Sequence, residues 1–215
     1  MNGLKKENQQ KKTNIFETAF LSSFFYPMKL ILDSTFDKIN YSNEPFETGE
    51  YDSCVFNSCH FSKSILSNSV FINCEFINCN FESPTLNHTS FKEITFQECT
   101  LLGMQFENCN DFLFEVSFET CILKVCSFFK MNLKNSKFNN SKIMDVDFSS
   151  CNLTSVKFDS CDLSKSIFEN TNLEKTDFTT AVNFSIDPEN NNLNKAKFSN
   201  DNLRGLLNKY NLDII

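Results

Sequence analysis

The sequence of 215 residues contains no tryptophan, four glycines, four prolines, two histidines and one arginine, Arg204. Four scattered glycines do not form a glycine-rich loop for phosphate groups. The histidines, His60 and His88, are not paired, and no apolar run approaches the roughly 18 residues that a membrane-spanning helix needs. Positive charge is also scarce, since the net charge is −7 and the pI about 4.9. The composition therefore argues against a membrane protein and against nucleic-acid binding through a broad basic surface.

Residues 1–27 form an N-terminal extension in which a polar, lysine-rich stretch precedes a short apolar patch. A secretory signal is one interpretation, but Glu17 interrupts the patch and a small-residue cleavage site is missing. A second interpretation is a disordered upstream segment before a start at Met28. A third is a short helix that caps the rest of the fold, with an apolar face formed by Ile15, Phe16, Phe20 and Phe24.

Phenylalanine is abundant, with 26 copies, and it recurs at intervals of five. Large apolar residues occupy every fifth position from Phe36 to Phe106, and again from Phe118 to Phe178 in a register shifted by two. A helix would require a period of 3.6 and a flat strand a period of 2. A period of five predicts a solenoid that turns a corner after each short side and points one large side chain inward. From Phe118 onward Phe alternates with Leu or Ile, which predicts phenylalanine stacks on two opposite sides.

All ten cysteines lie two residues before a position of this register. Elsewhere the same position often holds Ser, Thr or Ala, so cysteine belongs to a set of small residues. Side chains two residues apart on an extended segment lie on the same face, so the small residue points inward with the large one. We therefore expect buried structural thiols rather than disulfides, a redox site or a metal site. Buried free thiols in this number indicate a reducing compartment, and hence the cytoplasm.

The segments CNFES (79–83), CNLTS (151–155) and TNLEK (171–175) resemble the pentapeptide-repeat consensus of a small residue, Asp or Asn, Leu or Phe, and two variable residues. This resemblance covers roughly residues 34–198. It implies an all-β solenoid, a right-handed quadrilateral β-helix with four pentapeptides per coil. The ending FSNDNLRGLLNKYNLDII resembles that of quinolone-resistance (Qnr) type proteins, in which a short C-terminal helix caps the solenoid and supports dimerisation. Members of that group are thought to imitate DNA and bind type II topoisomerase.

The sequence thus predicts an extension (1–27), a repeat region (28–198) and a C-terminal capping helix and tail (199–215). The register slips near residues 107–117, where we expect a bulge that is either a tolerated insertion or a contact with a partner. Removal of Asn110 and Asp111 would restore the period. Ser199 is the expected N-cap of the helix. The residues expected to cap the solenoid, or to cap it and also form a dimer interface, are Leu203, Leu206, Leu207, Tyr210 and Ile214.

No catalytic or cofactor-binding motif is present, and the sequence predicts a protein that is not an enzyme and needs no cofactor. Two functions remain open. The first, implied by the Qnr resemblance, is a DNA-mimicking protein that binds DNA gyrase or topoisomerase IV and modulates quinolone sensitivity. The second is a general protein-binding or scaffold module. Around the register slip the charged residues are all acidic, and the expected partner-binding residues are Glu93, Glu98, Glu107, Asp111, Glu115 and Glu119.

Overall fold

The computed structural model describes residues 28–213, and the expectations for residues 1–27 and for Ile214 lie outside them. Fifteen short strands follow one another, joined by tight corners, and three 3₁₀ segments accompany them. The strands are β1 Lys29–Leu32, β2 Thr35–Asp37, β3 Gly49–Asp52, β4 Val55–Asn57, β5 Val70–Ile72, β6 Glu75–Ile77, β7 Asn80–Glu82, β8 Ser90–Lys92, β9 Ile94–Gln97, β10 Thr100–Leu102, β11 Val116–Glu119, β12 Ile122–Lys124, β13 Lys137–Asn139, β14 Lys142–Met144 and β15 Phe158–Asp159. The 3₁₀ segments are Phe106–Asn108, Asn200–Leu206 and Asn208–Tyr210.

Every strand pairing is parallel, and most join residues 20 positions apart, such as Phe56 with Phe76. Twenty residues therefore complete one coil of four five-residue sides. We number the four faces of the rod along the chain. Face 1 holds the sheet β1-β3-β5-β8, face 2 the seven-stranded sheet β15-β13-β11-β9-β6-β4-β2, and face 3 the sheet β14-β12-β10-β7. Face 4 is joined by isolated bridges such as Asp147 with Ile167. The predicted quadrilateral β-helix is confirmed.

The large residue at the centre of most sides is buried, and these residues fill the rod, whereas those of the first and last coils are partly buried. Phe76 of face 2 stacks on Phe56 and Phe96 with ring centroids 4.8 and 5.1 Å apart. In the later coils face 2 carries Phe138 and face 4 carries Phe148, and their rings meet edge to face at 5.9 Å. Faces 1 and 3 carry Leu or Ile there. The predicted phenylalanine stacks on two opposite sides are therefore present.

The small inward residue two positions earlier also holds successive coils together. The Cys79 thiol donates to the Phe56 carbonyl oxygen, with Sγ and O 3.2 Å apart. The Ser166 hydroxyl donates in the same way to the carbonyl of Ile143 at 2.9 Å, and that of Thr176 to the carbonyl of Leu153 at 2.8 Å. Cys, Ser and Thr can all make this hydrogen bond, which favours their interchange at this position, although Ser69 and Ser136 occupy it without a side-chain partner.

The cysteines are free thiols, and nine of the ten are buried. Burial raises the pKa of Cys74 to about 12 and the pKa of Cys161 to about 11, because a thiolate loses its hydration there. Cys109 departs from the expected burial, since it is only half-buried. Cys109 lies directly before the register slip, where the chain leaves the regular path of the coil and covers the thiol less completely.

Candidate functional site

The register slip is a loop on face 1 formed by residues 111–115. Asn110 pairs with Ser90 at the usual offset of 20, whereas Val116 pairs with Ile94 at an offset of 22. The two extra residues therefore lie between Asn110 and Val116. Asn110 itself keeps its regular place in the coil, so the predicted deletion of Asn110 and Asp111 is better replaced by deletion of Asp111 and Phe112.

The loop reverses which side chains point inward. Asp111 occupies the central position of the side but is exposed, and Phe114 takes its place in the core. The Phe114 ring meets those of Phe91 and Phe106 edge to face, at 6.4 and 6.1 Å. Phe112 and Leu113 project from the tip with 65% and 64% of their surfaces exposed. The loop thus presents two large apolar side chains to solvent.

The six acidic residues predicted to bind a partner are distributed around the coil. Glu93 and Glu115 lie at the corner between faces 1 and 2, where the Glu115 carbonyl accepts a hydrogen bond from the Ile94 N–H at 3.0 Å. Glu98 lies at the corner between faces 2 and 3, and Glu119 lies beside it at the end of β11. Asp111 belongs to the loop on face 1, and Glu107 lies on face 4 in the 3₁₀ segment Phe106–Asn108. Four of the six therefore surround face 2, Asp111 lies on face 1, and Glu107 lies on the side opposite face 2.

Face 4 is the side on which acidic residues predominate. Glu47, Glu107, Asp147 and Glu169 flank its central residues, and Lys130 at its far corner is the one lysine on this face within residues 28–213. The sequence analysis missed this arrangement because these acids are 20 to 60 residues apart in the chain. Grouping residues by their position in a 20-residue coil, with a shift of two after the slip, would have found it.

Lysines form a belt in the coil after the loop. Residues 120–144 contain five lysines and no acidic residue. The ion pairs of the described part of the chain use other lysines, and none of the belt lies within 4.0 Å of a carboxylate oxygen. The members of the belt are Lys124, Lys130, Lys134, Lys137 and Lys142.

The C-terminal segment closes the end of the rod. Ser199 precedes the segment Asn200–Leu206, as predicted, and its N–H donates to Asn202 Oδ1 at 3.0 Å. The Asn202 amide in turn donates to the carbonyls of Phe178 and Ala181, at 2.7 and 3.1 Å. The cap is 3₁₀-helical. The residues that bond to the last coil are therefore not spaced as they would be on one face of an α-helix.

Two further contacts fasten this cap. Gly205 approaches Phe184 so closely that a Cβ atom would lie 2.4 Å from its ring, so no larger residue fits. Lys209 forms ion pairs with Asp187 at 2.6 Å and Glu189 at 2.5 Å. These hydrogen bonds and the lysine charge lower the pKa of both carboxyl groups and raise that of Lys209.

Only part of the predicted apolar face of the cap packs on the rod. Leu206 is half-buried against the core and Leu207 is also half-buried. Leu203 and Tyr210 are exposed, although the Tyr210 hydroxyl hydrogen-bonds to Glu189 at 3.0 Å. Of the four residues expected to bury against the last coil, Leu206 therefore packs against the core and Leu207 is half-buried. Leu203 and Tyr210 remain at the surface, where a second chain could reach them.

Within residues 28–213 no group of three or more His, Cys, Asp or Glu residues is arranged to hold a metal ion. None of the helical segments described is long and apolar enough to cross a membrane. The two histidines are both exposed. What this geometry defines is a filled four-sided β-solenoid, in which the groups available to a partner are the faces, the corners and the loop.

Comparison with known proteins identifies the family. The family model described as "pentapeptide repeat region" matches residues 71–148 and 111–212, and the one described as "pentapeptide repeats (8 copies)" matches residues 54–83. The chain belongs to the pentapeptide-repeat family. Members of this family are generally non-catalytic structural or binding modules.

Solved structures similar to this chain include QnrB1, described as a plasmid-mediated fluoroquinolone resistance protein. In a trypsin-treated form it is 16% identical, with a TM-score of 0.47, over 88% of this chain and 93% of that chain. HetL of the cyanobacterium Nostoc sp. strain PCC 7120, described as involved in heterocyst differentiation regulation, is 10% identical with a TM-score of 0.36, over 81% and 86%. No curated protein sequence matches the chain.

Proposed function

We propose that this protein is a non-catalytic, DNA-mimicking binder of a type II topoisomerase, DNA gyrase or topoisomerase IV, and that it modulates sensitivity to quinolones. The observation that carries the proposal is the filled rod with acidic residues concentrated on face 4. The resemblance of its C-terminal ending to Qnr-type proteins supports the choice of partner. Catalysis is not part of the proposal, because convergent groups in a cleft are what catalysis requires and this surface is made of flat faces.

The magnitude of the charge decides which part of the surface could imitate DNA. A DNA duplex carries about one charge per 1.7 Å, or roughly three per 4.8 Å coil of this rod. Residues 28–215 carry a net charge of −9, because the first 27 residues contain four lysines and two glutamates. The average is therefore about one charge per coil, too low for mimicry by the whole rod. A single acidic face is required, and face 4 with Glu47, Asp147 and Glu169 is better suited than the residues surrounding face 2.

The first experiment is a gyrase supercoiling assay in the presence of a fluoroquinolone. We expect the wild-type protein to restore supercoiling and the double variant Asp147→Asn, Glu169→Gln to restore it less. Asparagine at 147 still accepts the hydrogen bond from the Ser149 N–H, so this variant should keep its fold. The control Glu75→Gln, Glu82→Gln removes the same charge from faces 2 and 3 and should protect like wild type.

The loop is tested separately by deleting Asp111 and Phe112. The deletion gives the coil its usual 20 residues and places Leu113 at the central inward position, so the fold should survive. If the loop contacts the topoisomerase, protection should be lost while the circular dichroism spectrum stays β-rich. If the variant protects gyrase as well as the wild-type protein does, the loop is a tolerated insertion. No effect of the wild-type protein on either topoisomerase would leave the second candidate function.

We propose that two copies associate through the C-terminal cap, with Leu203 and Tyr210 in the interface and Ile214 as the predicted third member. The exposure of Leu203 supports this role and makes it the cleanest position to change. In light scattering, Leu203→Asp should shift a dimer to a monomer with little change in melting temperature. Leu207→Asp should also lower the melting temperature, because Leu207 is half-buried. A wild-type protein that is monomeric at high concentration would restrict the cap to closing the rod.

The second candidate function is a general protein-binding module with another partner. The apolar loop tip and the lysine belt favour it, since neither feature resembles a DNA duplex. A wild-type protein that leaves both topoisomerases unaffected, yet folds and closes its C-terminal end as described, would favour this function.

A further inference from the structure

One corner of the rod, between faces 3 and 4, exposes apolar side chains on consecutive coils. On face 3, Leu102 pairs with Lys124 and Lys124 with Met144, so these three side chains form one outward column. Ile122 points outward from the same strand as Lys124, two residues earlier, and is exposed. Val125 and Phe129 continue the exposed apolar surface around the corner onto face 4. We call Leu102, Ile122, Val125, Phe129 and Met144 the corner cluster.

The conformation of Val125 is unfavourable for its residue type. Its φ is +54°, and a β-branched residue in this region is a conformational outlier. Most corners of the rod carry Asn, Ser, Asp, Lys or Glu at the equivalent position, and the preceding coil has Gly103 there. Val125 is also 51% exposed, so packing inside the rod does not account for it. Strained residues of this kind concentrate at functional sites.

Positive charge flanks the corner cluster on face 3. Lys124 and Lys142 lie on face 3 between its apolar members, and Lys130 lies 4.7 Å from the Phe129 ring centroid. As described above, these lysines have no carboxylate within ion-pair distance. The acids of the adjoining coils are Asp145 at the corner, Asp162, which follows Lys142 on face 3, and Glu107 and Asp147 on face 4. The part of the cluster on face 3 is therefore apolar and basic in a protein whose net charge is −7.

We propose that the corner cluster and the lysines around it form a docking surface for a protein segment that presents large apolar side chains flanked by carboxylates. The apolar partners would bury Ile122, Val125 and Phe129, and the carboxylates would pair with Lys124 and Lys142. A nucleic acid fits less well, because phosphates gain nothing from covering the apolar centre. This surface lies on faces 3 and 4 after the loop, and its existence does not depend on topoisomerase binding.

Val125→Asn separates binding from folding. Asparagine tolerates the left-handed region better than valine, so the variant should melt about 2–4 °C higher than wild type if the relief is near 1 kcal/mol. It also removes apolar contact, and its affinity for a partner should fall about five-fold. A purely structural valine would show the rise in melting temperature without any loss of binding. The matched control is Ile65→Asn, which removes an exposed aliphatic side chain from an earlier coil of face 4.

The probe is a short fluorescent peptide that alternates Asp or Glu with Phe or Leu. Its binding to the full-length protein is measured by fluorescence anisotropy. A second peptide keeps the apolar residues and replaces each acid by lysine. Lys124→Gln with Lys142→Gln should weaken binding of the acidic peptide and reduce its dependence on salt. Lys63→Gln with Lys195→Gln, which removes the same charge elsewhere, should leave binding unchanged.

The expected result is that the acidic peptide binds wild type more tightly than the basic peptide does, and that only the corner variants weaken it. Equal binding of the two peptides, or unchanged binding by Val125→Asn, would overturn the proposal. Labelled duplex DNA is the third probe. DNA that binds through Lys124 and Lys142 more tightly than the acidic peptide would also overturn it, because the surface would then select phosphates.

Discussion

Replacement of Phe76 by alanine should be among the most destabilising single changes in this protein. Phe76 is fully buried and stacks between Phe56 and Phe96, with centroid distances of 4.8 and 5.1 Å. Three more rings meet it edge to face at 5.4–5.7 Å. Truncation of a buried phenylalanine costs about 3–5 kcal/mol, and loss of aromatic pairs adds to the transfer term. Because a filled rod cannot collapse around the gap, we expect a value near the upper end, about 4–5 kcal/mol.

The measurement is urea unfolding monitored by circular dichroism, with Phe198→Ala as the matched control. Phe198 belongs to the same face and stacks on Phe178 at 5.3 Å, but it lies in the last coil and is half-buried. Its loss should cost about 1–2 kcal/mol, since roughly half of the apolar surface is involved. In a solenoid a central defect also interrupts two coil-to-coil interfaces, whereas a terminal defect interrupts one. Equal losses for the two variants would refute the description of the core as a continuous stack.

Three other changes test separate parts of the chain. Cys79→Ser should lower the free energy of unfolding by about 1 kcal/mol or less, because serine keeps the hydrogen bond to the preceding coil, whereas Cys79→Lys should prevent folding. In native buffer a thiol reagent should modify Cys109 first. Prompt reaction of all ten thiols would contradict their burial. A protein that starts at Met28 should remain soluble and keep the same β-rich circular dichroism spectrum; insolubility or a large drop in melting temperature would instead indicate that residues 15–27 cap the first coil. Lys209 holds the pKa of Asp187 below its ordinary value of 3.8, so this contribution is complete above pH 3.8 and is lost as the pH falls through the lowered pKa. Hydrogen exchange of the C-terminal segment should increase in that acidic range for wild type, and Lys209→Met should already exchange faster at neutral pH; identical exchange in both proteins would exclude the ion pair as a fastener.

The sequence was sufficient for the core because the contacts of this fold repeat at one fixed interval. A period of five places each central residue, such as Phe138, inside the rod, and four sides per coil place it against the residue 20 positions away. No long-range pairing had to be guessed. The same period identified the small inward position and hence the buried thiols. Cys109 is the exception, since it precedes the only stretch of the repeat region before residue 181 where the interval changes.

The candidate sites were harder to predict, because residues that are close in sequence are distributed around the coil. Glu107 and Glu119 are close in the chain, yet a coil of 20 residues carries them to opposite sides of the rod. Conversely, Glu47 and Glu169 are far apart in the chain and lie on the same face. Loop conformation was also beyond the period, since the pattern located the two extra residues only to within the segment 107–117. Which side chains turn inward there depends on the competition between Asp111 and Phe114 for the core, which the phenylalanine wins by its hydrophobicity.

The scarcity of glycine acquires a physical explanation once the corners are described. Among residues 28–213, 27 non-glycine residues have a positive φ, against one glycine, Gly103. Each such residue is disfavoured when isolated, but in the rod the N–H of most of them bonds to the next coil, as that of Asn73 does to the carbonyl of Lys92 at 2.9 Å. Stacking therefore supplies at most corners the stabilisation that glycine's flexibility supplies in an isolated turn. Asn and Ser add side-chain bonds between corners, such as that from Asn73 to Ser53 at 3.2 Å. Val125 adds no such side-chain bond, and its corner is held only by the backbone bond from its N–H to the Met144 carbonyl at 3.1 Å.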